Sequence, residues 1–428
     1  MKEQIVQIQE ALAEAGIKIW SLREETVSSA ELFFIRRRLD MRRMKETVKY
    51  PVTVYHPFQK DGKQMLGSSE VTLLPTQSKE EMCAALRDTD YAASFVANPT
   101  FALPEKVTAP EVVLKSGLSE LPVEQAAMKM AGAVFAADHN EKSYVNSTEV
   151  FVTRLKRRIL TSWGTDVGFE KSSIWGEFVV QCKEPQDVET YHSFAYEDLD
   201  CADLSRLVET ALAQVSDRAV ARQALPSGTY DLILSEDNLG EVLGYYVDRT
   251  RVSMVYPGYS TWQVGSDVQE SMNGGERLEL TLHASEPFSR EGIPMSDRKL
   301  LADGKVQLIH GGARLSSYLG IAPTGDYTVY DCGNGHTPLA QLKEKPYLYP
   351  VCFSDFQMDA MTGHFGGEIR LAYYFDGKQV QIVTGGSVNG SIAECAGGLL
   401  FSQERYRGEH YRGPFAARIP QVKVAGTI

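Results

Sequence analysis

Three Asp-Gly pairs, Asp61-Gly62, Asp303-Gly304 and Asp376-Gly377, stand between strand-like runs and constrain the fold more than any other feature. A two-residue hairpin turn needs positive φ at its central residues; Asp tolerates this and Gly adopts it freely, so such pairs join antiparallel neighbours. The first closes the run Val52–Tyr55. The second separates Lys299–Leu301 from Val306–Ile309, and the third separates Ile369–Phe375 from Gln379–Val383. Much of the chain must therefore be antiparallel sheet.

Helices accompany strands in the first half. Ile5, Ile8 and Leu12 form one apolar stripe that stops at Gly16, a good C-terminal cap. Strand-like Ile17–Leu22 and Glu31–Leu39 follow. Ser78 and Glu81 make a capping box that opens a helix running to about Phe95. The connector from Asn98 to Pro110 carries Pro99, Pro104 and Pro110, which break regular structure. A helix at Val123–Ala137 and strands at Glu149–Leu160 and Thr165–Gln181 repeat the pattern. From Asp200 and Asp203 a further helix carries Leu204, Leu207, Val208, Ala211, Leu212 and Val215 on one face, the stripe of a helix lying on a sheet. Beyond Pro226-Ser227-Gly228 glycine becomes dense and strands dominate. The expected fold class is α+β. Residues 1–225 should form a mixed α/β N-terminal domain with helices on a sheet, and residues 226–428 a mostly antiparallel β domain, barrel or sandwich.

Composition narrows the function. A chain of 428 residues has room for two or three domains. No apolar run reaches the roughly 18–20 residues of a spanning helix, so no membrane partner is expected. The amphipathic, acid-bearing N-terminus does not read as a cleavable signal, which favours a cytoplasmic protein. Cysteines 83, 182, 201, 332, 352 and 395 include no Cys-x-x-Cys pair and read as free thiols. A formal charge of −12 opposes the phosphate backbone, so no nucleic-acid partner is expected. The local cluster Arg36, Arg37, Arg38, Arg42, Arg43 and Lys45 reads as a solvated strand face or a protein contact.

The tract from Tyr347 to Glu394 carries a dense series of matches to a known pattern. Ser289-Arg-Glu-Gly-Ile-Pro-Met295, Leu300–Val306 and Gly312-Ala-Arg-Leu-Ser316 precede it in order. Over roughly residues 225–428 this series resembles the TldD/TldE (PmbA) peptidase family. The resemblance implies the fold division above. It also implies that active relatives bind zinc with a helical His-Glu-x-x-x-His motif, whose Glu activates water, and a Cys near the C-terminus. The matching stretch here is Leu239–Tyr246. Aligned on Glu241 and Gly244, it has Gly240 and Tyr245 where the histidines belong, and Arg407–Pro414 holds no Cys. None of the eight histidines is followed by Glu.

This pattern is similar to the TldE (PmbA) member, a metal-free pseudo-enzyme. The resemblance thus implies no catalytic residue and no cofactor in this chain, with zinc in a TldD-like metallopeptidase partner. Together the two would form a heterodimer acting on unstructured peptides or leader peptides. The family's label, modulator of DNA gyrase, would then describe an indirect effect. Glu241, without a metal, reads as a capping, surface or interface residue. Tyr245 and Tyr246 read as filling the vacated space or an interface.

Other residues also carry chemistry-bearing patterns. Cys332, His336, Cys352, Asp355 and His364 could suit zinc, but Gly333 and Gly335 suggest a turn, and thiols packed in sheet explain the set equally. Gly385–Gly390 lacks the second glycine of a nucleophile elbow and reads as a turn of positive-φ glycines. Tyr256, Tyr259, Trp262 and Tyr373 could line a groove that grips extended peptide, or pack in the core or an interface. The alternatives to the paired subunit are a self-sufficient hydrolase with a non-standard site and a non-catalytic peptide-binding homo-oligomer, such as a homodimer when alone.

Overall fold

The computed structural model describes residues 2–223 and 225–426. Strands β1 (Ile19–Ile35), β2 (Arg38–Lys60), β3 (Lys63–Leu73), β4 (Val112–Val113), β5 (Ser143–Thr161), β6 (Asp166–Cys182) and β7 (Val188–Tyr196) build one sheet. Its order is β3-β2-β1-β5-β6-β4, with β7 also on β6. The sequence reading broke β1 into two strands at Arg23–Ala30; the structure shows one. Polar residues do not interrupt it because β1 is hydrogen-bonded to β2 on one side and β5 on the other along its length. Leu22, Ala30, Leu32 and Phe34 face the core, while Arg23, Glu25, Ser29 and Glu31 alternate to the opposite face. Strand β7 was missed.

Four helices cover the apolar face: α1 (Lys2–Glu14), α2 (Lys79–Ala93), α3 (Val123–Ala137) and α4 (Cys201–Val220). The α4 stripe of Leu204, Val208, Ala211, Leu212 and Val215 packs with α3 against Leu32, Val150 and Val152. Each such buried Leu or Val contributes about 1.5–3 kcal/mol. The expected capping box forms: Ser78 N–H donates to Glu81 Oε2 at 2.7 Å, and Glu81 N–H donates to Ser78 Oγ at 3.2 Å.

From Gly228 onward two more sheets form. Strands β8 (Gly228–Ser235), β13 (Tyr347–Met358), β14 (His364–Phe375), β16 (Ser387–Ser391) and β20 (Ala416–Ala425) pair in the ring β13-β8-β20-β16-β14, and β14 returns to β13. The barrel-or-sandwich expectation resolves as a closed five-stranded barrel, which leaves no unpaired edge in the ring. Strand β15 (Val380–Val383) extends it from β14, and β17 (Leu400–Phe401) joins β20. The other sheet runs β11-β10-β9-β12-β19-β18, made of β9 (Leu280–His283), β10 (Arg298–Ala302), β11 (Lys305–Val306), β12 (Val329–Cys332), β18 (Arg405–Arg407) and β19 (Tyr411–Pro414).

The Asp-Gly pairs are all turns. Asp61 and Gly62 have φ of 51° and 74°, and Asp303 and Gly304 have 48° and 63°. At the third pair only Gly377 is left-handed, at 97°. There the Asp376 carboxylate makes the turn by accepting from Lys378 N and Gln379 N at 2.8 and 2.9 Å. The expected strand Val306–Ile309 is shorter, since only Lys305 and Val306 pair with β10. Gly385 and Gly386 have φ of 83° and 85°, as expected of a turn, but Ser387–Gly390, read as part of the same turn, belong to β16, where they pair with β14.

The polar face of the first sheet meets the second half of the chain. Arg157 donates to Glu25 and to Glu286, both at 2.9 Å, and Lys171 reaches Glu286 at 2.8 Å. Phe288 packs beside them on Ile159, Val167 and Phe169. Two of the sequence motifs then bond to each other: Glu291 Oε2 accepts from Ala313 N at 2.9 Å. The basic cluster near Arg36 is answered within the chain. Arg42 pairs with Glu124, Arg43 and Lys45 with Glu31, and Arg38 with Asp40.

Candidate functional site

The motif stretch lies on helix α5 (Glu236–Arg249), which leaves the end of β8 and packs against the barrel and β19. Its start is fixed by Glu236 N–H donating to the Phe415 carbonyl at 2.8 Å. That bond goes with an unusual backbone, since Glu236 has φ of +54°, a conformation costly for a residue with a Cβ. At the other end Thr250 Oγ1 donates to the carbonyls of Tyr246 and Val247 at 2.8 and 2.9 Å. His310 Nε2 also donates to the Val247 carbonyl, at 3.0 Å. Burial holds that imidazole down to about 4, so it is neutral near pH 7. Leu239, Val242, Leu243, Tyr246 and Val247 bury one side of α5 in the core.

Along the other side of α5 opens a cavity of about 790 Å³. Its walls come from α5, the end of β7, the start of α4, β12, and the hairpin of β18 and β19. Gly240, Glu241, Gly244 and Tyr245 all line it. Gly240 is buried, and a Cβ placed there would stand 2.6 Å from Tyr411 Cβ and 2.9 Å from its Cγ. The Tyr330 hydroxyl donates to the Gly240 carbonyl from the same side. Tyr411 belongs to Arg407–Pro414, so the two stretches compared separately with the family's ligand positions touch in space. Burial raises the Tyr330 and Tyr411 phenols, which stay neutral.

Glu241 is exposed to the cavity and forms no ion pair among the described residues. Tyr245 is half-buried, edge-on to Tyr246 and Trp262 with centroids 5.3 and 5.6 Å away. Trp262 stacks on Tyr246 at 5.9 Å and has the Arg249 guanidinium 5.4 Å from its ring. Thus Trp262 supports α5 from behind the cavity. Tyr256 and Tyr259 are exposed, the first against Tyr318 at 5.2 Å. Tyr373 lies elsewhere, on β14, where its hydroxyl donates to Asp217 of α4 at 2.7 Å. None of Tyr256, Tyr259, Trp262 and Tyr373 lines the cavity. Cys332 is enclosed, its thiol pushed up to about 12 by burial. Among the described residues, no three His, Cys, Asp or Glu side chains are grouped as a metal would need.

Sequence reasoning singled out Glu241 and missed the role of the cavity's other acids. Glu236 is raised to about 7 by desolvation, then by the nearby charges of Asp237 and Asp203. Asp237 opens to cavity water yet is walled by protein. Desolvation raises it, opposed by a hydrogen bond from Tyr406 and by the charge of His410. Asp203 accepts from Tyr196 Oη at 3.1 Å and from Arg206 at 2.6 Å. The only available signal was the adjacent pair Glu236-Asp237 at a strand-to-helix junction, which also reads as acids at a helix N-terminus.

Residues 227–426 match the family described as the PmbA/TldA metallopeptidase C-terminal domain. No curated protein matches the sequence. The whole fold is similar to that of three solved structures. The first, a protein from Thermotoga maritima described as a candidate modulator of a DNA gyrase, has a TM-score of 0.79 at 13% identity, covering 99% of this chain and 100% of its own. TldE from Thermococcus kodakarensis has a TM-score of 0.78 at 15% identity, covering 98% of this chain and 100% of its own. The third, from Bacteroides thetaiotaomicron and described as a candidate modulator of DNA gyrase, has 0.77 at 15%, with both chains fully covered. At these identities the likeness speaks for fold alone. No helix among the described residues is long and apolar enough to cross a membrane. Residues 227–426 thus belong to the PmbA/TldA metallopeptidase C-terminal domain family, and the chain as a whole shares the fold of these three structures.

Proposed function

We propose that this chain is the TldE-like subunit of a two-protein cytoplasmic peptidase, paired with a metal-bearing TldD-like protein and acting on unstructured peptides. The observation that carries this reading is the contact between Gly240 and Tyr411. The family's zinc chemistry asks for two imidazoles from the helix and a thiolate from the C-terminal segment. Here one helix position has no side chain, and a tyrosine from that segment fills the space beside it. The other is Tyr245, whose phenol burial raises and keeps neutral. Neutral phenols are poor zinc ligands, so the residues present do not fit the metal and no hydrolytic step is assigned to them. The cavity along α5 remains roomy, and its role in this reading is to hold peptide beside a partner that supplies the metal, the water and the acid–base glutamate.

Co-expression with a TldD-like protein that carries His-Glu-x-x-x-His tests the proposal. The expected result is a mixed complex that cleaves an unstructured peptide, with this chain inactive alone. Stoichiometric zinc and peptide cleavage in the isolated chain would support the self-sufficient hydrolase instead. Failure to form a mixed complex would leave the peptide-binding homo-oligomer.

A further inference from the structure

The α5 cavity is strongly asymmetric in charge. Its four arginines are committed to neighbours: Arg206 to Asp203 at 2.6 Å, Arg251 to Asp248 at 2.8 Å, Arg407 to Glu197 at 3.1 Å, and Arg405 to the carbonyls of Cys332 and Asn334 at 2.8 and 2.9 Å. Asp200, Glu236, Asp237, Glu241 and Glu409 line the same space, and none pairs with Lys or Arg among the described residues. Glu236 is the most telling. It is half-buried and is a wall residue of the cavity. Its carboxylate has no hydrogen-bond donor among the described residues, and its backbone is left-handed. The charges acting on it are those of Asp237 and Asp203, both negative. A carboxylate held this way lacks a counter-charge. The rings of Tyr196, Tyr330 and Tyr406 stand on the same walls, and aromatic faces attract cations.

We propose that the cavity receives a positively charged group of an extended peptide, an ammonium or guanidinium, with Glu236 and Asp237 as its counter-charges. This rests on the reading of the chain as a peptide-holding subunit and adds a preference to it. The volume of about 790 Å³ takes a long basic side chain with its flanking backbone. A neutral or acidic residue there would leave the wall carboxylates unanswered, and that difference is the source of selectivity.

The test is calorimetric titration of the full chain, alone and with its TldD-like partner, using three short peptides, the first two capped at both ends. One carries a central Lys, one a central Gln, and a third is neutral with a free amino terminus. The capped Lys peptide is expected to bind at least about tenfold more tightly than the capped Gln peptide, a difference of roughly 1.4 kcal/mol. If the free amino terminus is the natural cation, the third peptide shows the gain in place of the first. Glu236→Gln should erase most of the gain while leaving the capped Gln peptide unchanged, and a melt of the same sample checks that the variant is folded. Asp237→Asn serves as a second variant if it is not. Equal affinity for all three peptides would overturn cation selection and leave the peptide-holding role standing. Binding of none of the three, by the chain or the complex, would overturn both.

Discussion

Replacing Gly240 by alanine should destabilise this protein, against the usual direction for a helix. In a helix interior Gly→Ala ordinarily gains about 1 kcal/mol. The structure opposes that gain, because the new Cβ would lie 2.6, 2.9 and 3.2 Å from Cβ, Cγ and Cδ1 of Tyr411. These atoms are the root of a side chain and cannot swing away. The Tyr411 ring is 1% exposed, its hydroxyl donates to the Pro414 carbonyl at 2.9 Å, and Tyr330 lies 5.6 Å from it. Overpacking of this kind costs about 1–3 kcal/mol, so the net expectation is a loss of about 1 kcal/mol.

Urea denaturation of four proteins decides the matter: wild type, Gly240→Ala, Tyr411→Gly and the double variant. In the Tyr411→Gly background the obstructing atoms are gone, and Gly240→Ala should revert to a gain of about 1 kcal/mol. The coupling between the two sites is then roughly 2 kcal/mol, well above the scatter expected for independent positions. If the single variant gains stability and the coupling is near zero, Tyr411 does not occupy the space beside Gly240, and the main support for the proposed subunit role is lost.

Glu236 is an acid whose pKa is raised by folding, from 4.5 to about 7, so its contribution to stability is most favourable below about pH 4.5 and is lost as the pH rises to about 7. Glu236→Gln should abolish that decline, gaining about 2–3 kcal/mol relative to wild type between pH 5 and pH 8; parallel stability curves would contradict it. Arg157→Ala should cost about 1.5–3 kcal/mol in the same assay because it removes one of two cationic partners from both Glu25 and Glu286, leaving them Arg23 and Lys171, and a loss under about 0.5 kcal/mol, the scatter of surface changes, would mean the network is solvated. Gly240→His alone should not hold zinc through gel filtration, whereas Gly240→His, Tyr245→His and Tyr411→Cys together should; zinc retained by wild type would refute this. Thiol titration of the native protein should label at most Cys201 and Cys352, the two that are only partly buried, and rapid reaction at Cys332 or Cys395 would show their burial to be wrong.

Local rules gave most of the elements. The helix stripe on α4, the capping box at Ser78 and the Asp-Gly turns each depend on residues a few positions apart, and each was readable before the structure. Strand β1 was not, because Arg23–Ala30 has no apolar alternation of its own and is held by neighbours distant in sequence, β2 and β5. The same limit applied at the site. Gly240 and Tyr245 stood out by comparison with a motif, yet what replaces the missing side chain at Gly240 is Tyr411, 171 positions away. The role of the cavity's other acids was invisible for a like reason: Asp203 and Glu236 are ordinary on separate helices and become unusual only when one wall brings them together.

The exchange at Gly240 and Tyr411 bears on why such a scaffold would keep its shape without a metal of its own. Simple loss of a histidine would leave a cavity beside the core, and cavities cost stability in proportion to their volume. Glycine at one position and tyrosine at the other remove that cost together, because the ring moves into the space and the helix still packs on β19. Neither change is neutral alone: a tyrosine facing a histidine would collide, and a glycine facing a small thiol would leave a void. The pair therefore packs as one complementary unit. The rest of the α5 cavity shows no matching closure. It stays open and keeps several carboxylates without a basic partner, at a cost that core packing alone does not explain. In the proposed reading, packing is complete where the family's metal would sit and open where a peptide would lie, as a subunit that holds peptide without a metal of its own requires.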